Sequence, residues 1–184
     1  DRLQTERLFN SSKLIIFDED PKAALIEQYT FSLGMVAEFA AASASEHYAD
    51  YKPIAGLLEV AMKAMPEGDA TYRDGDLLAF IEAHEPTLSK LLSTLLATNK
   101  RPKPFNKCII GEEDAVEHSY PNMRVPFMLA HLGDALVARQ QGKDFNHGLK
   151  LERRKGGAPS IQWNRLIEIE HSAPIVVLDG TGEQ

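Results

Sequence analysis

The sequence has 184 residues, of which 43% are hydrophobic and 26% are charged, values that are ordinary for a soluble globular protein. Its net charge of −7 excludes a free-standing basic nucleic-acid-binding domain, so any contact with nucleic acid must come from local basic patches. The single cysteine, Cys108, excludes an internal disulfide, a cysteine-rich zinc site and a four-cysteine iron–sulfur cluster.

One cysteine also suits a reducing compartment, and we expect the protein to be cytoplasmic. No apolar run approaches the roughly 20 residues that a membrane-spanning helix needs, and no signal peptide is recognisable. A membrane partner is therefore not expected.

The first element is a short apolar run, Leu14-Ile15-Ile16-Phe17, that ends in Asp18-Glu19-Asp20. Such a run is typical of a buried parallel strand, and it delivers its acidic residues to the carboxyl edge of a sheet, where ligands bind in open α/β sheets. Asp18 can hold Mg²⁺, and Glu19 can orient or deprotonate an attacking water. Asp20 before Pro21 also makes a good start for a helix.

The next 80 residues show the periodicity of helices. Apolar residues recur at three- and four-residue spacing and predict helices over residues 21–46, 53–65, 77–84 and 87–98. The run Arg73-Asp74-Gly75-Asp76 predicts a turn, with Asp76 as the cap of the helix that follows. Residues 21–99 are therefore predicted to form a helical subdomain.

A basic stretch follows at residues 100–107, and it has two readings. It is either a solvated linker or a contact to phosphate, made by cations such as Arg101 and Lys103. After it, the pattern over residues 125–141 predicts a further helix that begins with Pro126.

A β-hairpin is predicted at residues 149–163. Residues 149–153 alternate like a strand, Gly156-Gly157 suits a tight turn, and residues 161–163 return. The hairpin has a second basic cluster beside an aromatic residue, made of Lys150, Arg153, Arg154, Lys155 and Trp163. Cations and an aromatic ring can grip single-stranded nucleic acid by charge and stacking. The other reading is a solvated tip with the tryptophan in the core.

The closing run, Ile175-Val176-Val177-Leu178, repeats the plan of the first and ends in Asp179-Gly180-Thr181. We predict that the two runs lie in one sheet, with Asp18 and Asp179 at the same edge. The fold class is then α+β and mainly α. Residues 1–20 and 171–184 contribute to one sheet, residues 21–99 form the helical subdomain, and residues 100–170 form a linker, helix and hairpin.

The two terminal motifs together resemble a known family. The apolar strand followed by Asp18-Glu19 resembles the Walker B strand (motif II) of helicase-type P-loop ATPases of the superfamily-two kind. The run Leu178-Asp179-Gly180-Thr181 resembles motif III of some of them, with glycine in place of the usual alanine. The resemblance covers about fifteen residues at the two ends.

The resemblance implies a role for each matched residue. Asp18 would help to hold Mg²⁺ of a bound MgATP, Glu19 would activate the hydrolytic water, and Asp179 and Thr181 would couple the nucleotide state to contacts with DNA or RNA, most simply single-stranded. No phosphate-binding loop occurs in the sequence. We therefore expect a fragment that does not hydrolyse ATP alone and needs the remainder of an ATPase core.

Two alternatives remain open. Ile16-Phe17-Asp18-Glu19-Asp20 also resembles the first motif of haloacid-dehalogenase-like phosphatases, which implies Asp18 as nucleophile, Asp20 as general acid and Mg²⁺ bound to both. In that family Gly-Thr usually follows, whereas Pro21 stands here, and residues 111–114 match the later acidic motif only loosely. The third hypothesis is a non-enzymatic helical interaction module.

Overall fold

The computed structural model of this chain describes residues 15–18, 26–41, 46–98, 100–102, 124–143, 146–166 and 175–178. The chain divides into two compact units. The first contains both ends of the chain, Asp1–Gln28 and Asn164–Gln184, and the second is Tyr29–Trp163.

A two-stranded parallel sheet forms in the first unit. Strand β1 (Ile15–Asp18) pairs with β6 (Ile175–Leu178), although nearly the whole chain lies between them. The pairing is in register from Ile15 opposite Ile175 to Asp18 opposite Leu178. The prediction that the two terminal runs lie in one sheet is confirmed. Asp179, which was expected at the same edge as Asp18, lies outside the described residues.

A second sheet has four strands in the order β2-β5-β4-β3. Its strands are β2 (Ile26–Ser32), β3 (Ala70–Arg73), β4 (Leu149–Arg153) and β5 (Ser160–Leu166). The β4–β5 pair is the predicted hairpin, and its antiparallel register sets Leu149 opposite Trp163. The turn closes through a hydrogen bond from the Gly157 N–H to the Arg154 carbonyl oxygen, and its third residue, Gly156, has a positive φ of +71°, which glycine adopts more easily than other residues.

Five α-helices are present in the described part of the chain. They are α1 (Leu33–Ala41), α2 (Lys52–Lys63), α3 (Asp74–His84), α4 (Pro86–Ala97) and α5 (Val125–Gln140), and a 3-10 helix (Glu46–Tyr51) precedes α2. Three of them, α2, α4 and α5, begin with a proline in their first turn and match the predicted helices. The mixed α+β, mainly helical fold class is confirmed. None of these helices combines the length and the apolar character of a membrane span.

The core of the second unit lies between the helices and one face of the four-stranded sheet. Each helix contributes an apolar stripe, and the sheet contributes Phe31, Leu149, Leu151, Ile161 and Trp163. Strand β3 comes from the predicted helical segment, whereas β4 and β5 come from the predicted linker-and-hairpin segment. The two predicted subdomains therefore share one sheet and one core.

The helix predicted from residue 21 is wrong at its start, because residues 26–32 form strand β2. The side chains of Tyr29 and Phe31 turn inward while those of Thr30 and Ser32 are exposed, which is the period of two that a strand shows. Four-residue spacings of apolar residues also occur here, and such spacings predict a helix. Pairing with a strand more than 120 positions later in the chain decides the conformation, and no local pattern reports that pairing.

The turn predicted at residues 73–76 is also wrong. Arg73 is the last residue of β3, and α3 begins directly at Asp74 rather than after a cap at Asp76. Asp74 makes this abrupt change with a φ of +52°, a conformation that aspartate tolerates better than most residues. Its carbonyl oxygen accepts a hydrogen bond of 3.0 Å from His147 Nε2, which fixes the strand-to-helix corner.

A close helix contact gives a stability prediction. A Cβ atom at Gly133 of α5 would lie 2.7 Å from Leu96 Cδ1 and 3.4 Å from Leu92 Cβ of α4. Leu96 Cδ1 is the end of a flexible side chain that can move aside, so we expect the remaining crowding against Leu92 Cβ to offset most of the helix-propensity gain of about 1 kcal/mol and Gly133→Ala to change the free energy of unfolding little. The control is Gly56→Ala in α2, where no atom lies within 4 Å and a gain of about 0.5–1 kcal/mol is expected. Urea denaturation measures both, and equal stabilisation of the two variants would contradict the close contact.

Candidate functional site

The acidic end of β1 is the first candidate site. Asp18 is the last residue of β1 and lies level with Leu178, the last residue of β6. Because the two strands are parallel, the chain leaves both of them at the same edge of the sheet. In open α/β sheets that edge is where ligands bind.

Several predicted site residues fall outside the described part of the chain. They are Glu19, Asp20, Lys103, Asp179 and Thr181. In the sequence, Glu19 directly follows Asp18, and Asp179 directly follows Leu178. Their roles remain predictions.

The hairpin cations have different environments. The Arg153 guanidinium is bound by groups of the protein. It donates to the Met65 carbonyl oxygen at 2.8 Å and to the Gly157 carbonyl oxygen at 3.1 Å. A carboxylate oxygen of Glu67 lies 3.4 Å away from it. Only 20% of its side chain is exposed. Arg153 therefore fastens the hairpin and presents little charge to a partner.

The remaining three cations lie nearer to the solvent. Arg154, directly after β4, is 85% exposed, with its guanidinium 4.0 Å from the Glu152 carboxylate. Lys150 forms an ion pair with the same carboxylate. At the tip, the Lys155 N–H donates to Asp69 Oδ1 at 3.0 Å, which ties the backbone of the turn to the residue before β3. These three cations are better placed than Arg153 to meet an anion.

Trp163 is not a surface residue, and the prediction that it stacks on bases is wrong. Its side chain is 7% exposed, and its ring stacks on His131 with the ring centroids 5.0 Å apart. Tyr29 lies against it at 5.9 Å, and Arg124 in turn covers the Tyr29 ring at 4.3 Å. The ring is enclosed by the protein, so the reading with the tryptophan in the core holds.

Arg101 is engaged by a carboxylate. Its two terminal nitrogens donate to the Asp134 oxygens at 2.7 and 2.9 Å, the two-pronged geometry that arginine forms with carboxylates. The hydrogen bond with Asp134 raises the pKa of Arg101 above its usual value. This pair joins the segment after α4 to α5, so the charge of Arg101 is largely balanced within the protein.

Tyr51 is buried beside this segment, and its hydroxyl donates to the Lys100 carbonyl oxygen at 2.8 Å. Burial raises its pKa from 10.0 to about 12; the nearby Arg101 opposes the shift, and Asp134 and Asp50 add to it. The folded state favours the neutral phenol of Tyr51. The contribution of this phenol to the free energy of unfolding is therefore complete below pH 10 and is lost as the pH rises towards 12.

We therefore expect the free energy of unfolding to fall between pH 10 and about 12. The contribution of Tyr51 is at most roughly 3 kcal/mol. Tyr51→Phe should make this part of the stability profile flatter, as measured by urea denaturation at a series of pH values. An identical alkaline slope in the variant would contradict the assignment.

His147 is a buried polar residue with a structural role. Its Nδ1 accepts a hydrogen bond from the Leu149 N–H at 3.0 Å, so Nε2 carries the proton and donates to the Asp74 carbonyl oxygen. The carbonyl oxygen of His147 lies 2.7 Å from His131 Nε2. These bonds join the start of β4 to the corner before α3 and to α5, and they leave His147 no free ring nitrogen for a ligand.

Two polar residues near the hairpin were missed from the sequence. Arg73 is an exposed residue of β3 that lies directly opposite Lys150, and Glu152 is the carboxylate between Lys150 and Arg154. Strand alternation would have placed them on one face, had β3 been recognised. The sequence pattern around Arg73 predicts a turn instead.

Within the described residues no group of three or more histidine, cysteine, aspartate or glutamate side chains could hold a metal ion. Asp18, which the sequence predicts to bind Mg²⁺, is among the described residues. The chain matches no protein-family model, no curated protein and no solved structure.

Proposed function

We propose that this chain is part of a nucleic-acid-dependent ATPase of helicase type. In this proposal Asp18 holds the Mg²⁺ of MgATP, Glu19 activates the hydrolytic water, and Asp179 and Thr181 relay the nucleotide state to a single-stranded DNA or RNA. The remainder of the ATPase core supplies the phosphate-binding loop. The protein works in the cytoplasm, which its single cysteine suits.

The observation that supports this proposal is the parallel, in-register pairing of β1 with β6. Strands with acidic residues at their carboxyl ends suit a Mg²⁺-nucleotide site only if those ends meet. Asp18 lies at the last paired position of β1, and Asp179 follows the last paired position of β6. This is the arrangement expected for the two motif strands of such an ATPase.

The division of the chain also supports an insertion between these strands. Parallel strands need a crossover connection, and here residues 29–163 of that connection form a compact unit that contains the core and most of the four-stranded sheet. The sequences of β1 and β6 are almost wholly apolar, which is typical of strands covered on both faces. In the proposal, other parts of the ATPase core provide that cover.

The test is ATP hydrolysis by the protein expressed from its complete gene, measured with and without single-stranded nucleic acid. We expect hydrolysis that nucleic acid stimulates and that depends on Glu19. Hydrolysis of para-nitrophenyl phosphate that is lost in Asp18→Asn, with no ATP hydrolysis, would instead support the phosphatase alternative.

A further inference from the structure

The four-stranded sheet has one face on the core and one face turned away from it. On the second face, alternate residues of the strands are polar, and together with Arg154 they form what we call the outer sheet face. Its members in the second unit are Thr30, Ser32, Thr71, Arg73, Lys150, Glu152, Arg154, Ser160 and Gln162. None of these nine residues is apolar or aromatic, so this part of the face has no side chain that calls for burial against another hydrophobic layer.

One pair of charges on this face opposes the stability of the sheet. Arg73 and Lys150 are directly opposite each other on β3 and β4, where two like charges repel. Within the described part of the chain, the Arg73 side chain has no ion pair or hydrogen bond that would offset this repulsion. Such a local conflict is typical of a functional surface, because binding of an anion removes the repulsion.

The balance of charge on the outer sheet face is positive, although the chain as a whole is negative. The face has three cations, Arg73, Lys150 and Arg154, and one carboxylate, Glu152, whose side chain is 13% exposed. Glu152 also accepts a hydrogen bond from the Gln162 amide. The hydroxyls of Thr71 and Ser160 lie at the register positions on either side of Glu152 and add further donors.

We propose that the outer sheet face binds the phosphodiester backbone of single-stranded nucleic acid, with Arg73, Lys150 and Arg154 contacting phosphates. The inference deepens the proposed function and rests on it for the identity of the polyanion. Because this face has no aromatic side chain, recognition is by charge and hydrogen bonding and does not depend on base sequence.

The shape of the sheet favours a single strand over a duplex. Three inter-strand spacings of about 4.8 Å make the four-stranded face about 14 Å across. The major groove of B-DNA is about 12 Å wide and admits a helix or a two-stranded ribbon. The face is therefore too broad to enter a groove, whereas one extended strand can lie across it.

The test uses the 184-residue chain and a fluorescent 20-nucleotide oligothymidylate, with binding followed by anisotropy over a range of salt concentrations. We expect Arg73→Gln and Arg154→Gln each to weaken binding roughly fivefold, and each to lower the slope of log affinity against log salt by about 0.7. The matched control is Lys90→Gln, which removes an exposed cation from α4. It should leave both the affinity and the slope unchanged.

A variant that is expected to tighten binding shows that the weaker binding of the other variants does not come from loss of folding. Glu152→Gln removes the carboxylate of the face and releases Lys150 and Arg154 from their ion pairs. It should tighten binding several-fold, which a destabilised protein would not do. Circular dichroism of each variant checks that the fold is retained.

Three results would overturn the proposal: unchanged affinity in Arg73→Gln and Arg154→Gln, unchanged or weaker binding in Glu152→Gln, or a duplex of the same length binding more tightly than the single strand. If these occur while the complete protein still shows nucleic-acid-stimulated hydrolysis that depends on Glu19, only the surface assignment fails. If Glu19 is dispensable for hydrolysis, the proposed function fails separately.

Discussion

Glu19→Gln is expected to lower kcat for ATP hydrolysis by the complete protein about 10²–10⁴-fold, the usual contribution of a general base. Glutamine has nearly the same shape as glutamate but cannot take a proton from water. Asp18, at the end of β1, is unchanged in this variant, so Mg²⁺ and ATP should still bind. The expected signature is therefore a fall in kcat with little change in the affinity for ATP.

The measurement is single-turnover hydrolysis together with equilibrium binding of a fluorescent ATP analogue. Glu38→Gln, which removes an exposed carboxylate of α1, is the matched control and should hydrolyse ATP at the wild-type rate. Asp18→Asn should differ from Glu19→Gln by weakening the binding of MgATP as well. Wild-type turnover in Glu19→Gln would contradict the assignment of the general base.

Trp163→Ala is expected to lower the free energy of unfolding by about 3–5 kcal/mol, the range for truncation of a large buried aromatic residue. The ring is enclosed by His131 and Tyr29 and lies opposite Leu149 in the sheet, so its removal leaves a cavity between β5 and α5. Trp163→Phe keeps an aromatic ring in this position and should cost less.

Urea denaturation followed by circular dichroism is the appropriate measurement, because Trp163 is the single tryptophan and its fluorescence disappears with the substitution. Val60→Ala, at a side chain that is 52% exposed on α2, is the control and should change stability by no more than about 0.5 kcal/mol. A Trp163→Ala variant of wild-type stability that no longer binds single-stranded nucleic acid would restore the base-stacking reading.

Elements whose pattern is local can be predicted from the amino-acid sequence alone. The helices α2, α4 and α5 combine an apolar stripe with a proline in the first turn, and both signals lie within a few residues of each other. The β4–β5 hairpin was equally local, since its two strands flank a glycine-containing turn. The pairing of β1 with β6 is long-range, yet it was predicted because both runs are continuously apolar and end in acidic residues.

Contacts between distant segments determine which strands complete the second sheet and which side chains remain at the surface. Residues 26–32 become a strand because they pair with β5, and residues 70–73 become a strand because they pair with β4. Each partner strand lies far away in the sequence. The same is true of the candidate site. Trp163 is buried by residues of β2 and α5, Arg101 is held by Asp134, and Arg73 reaches Lys150 only across the sheet. Composition shows that such residues exist, but contacts between distant segments determine which of them can meet a ligand.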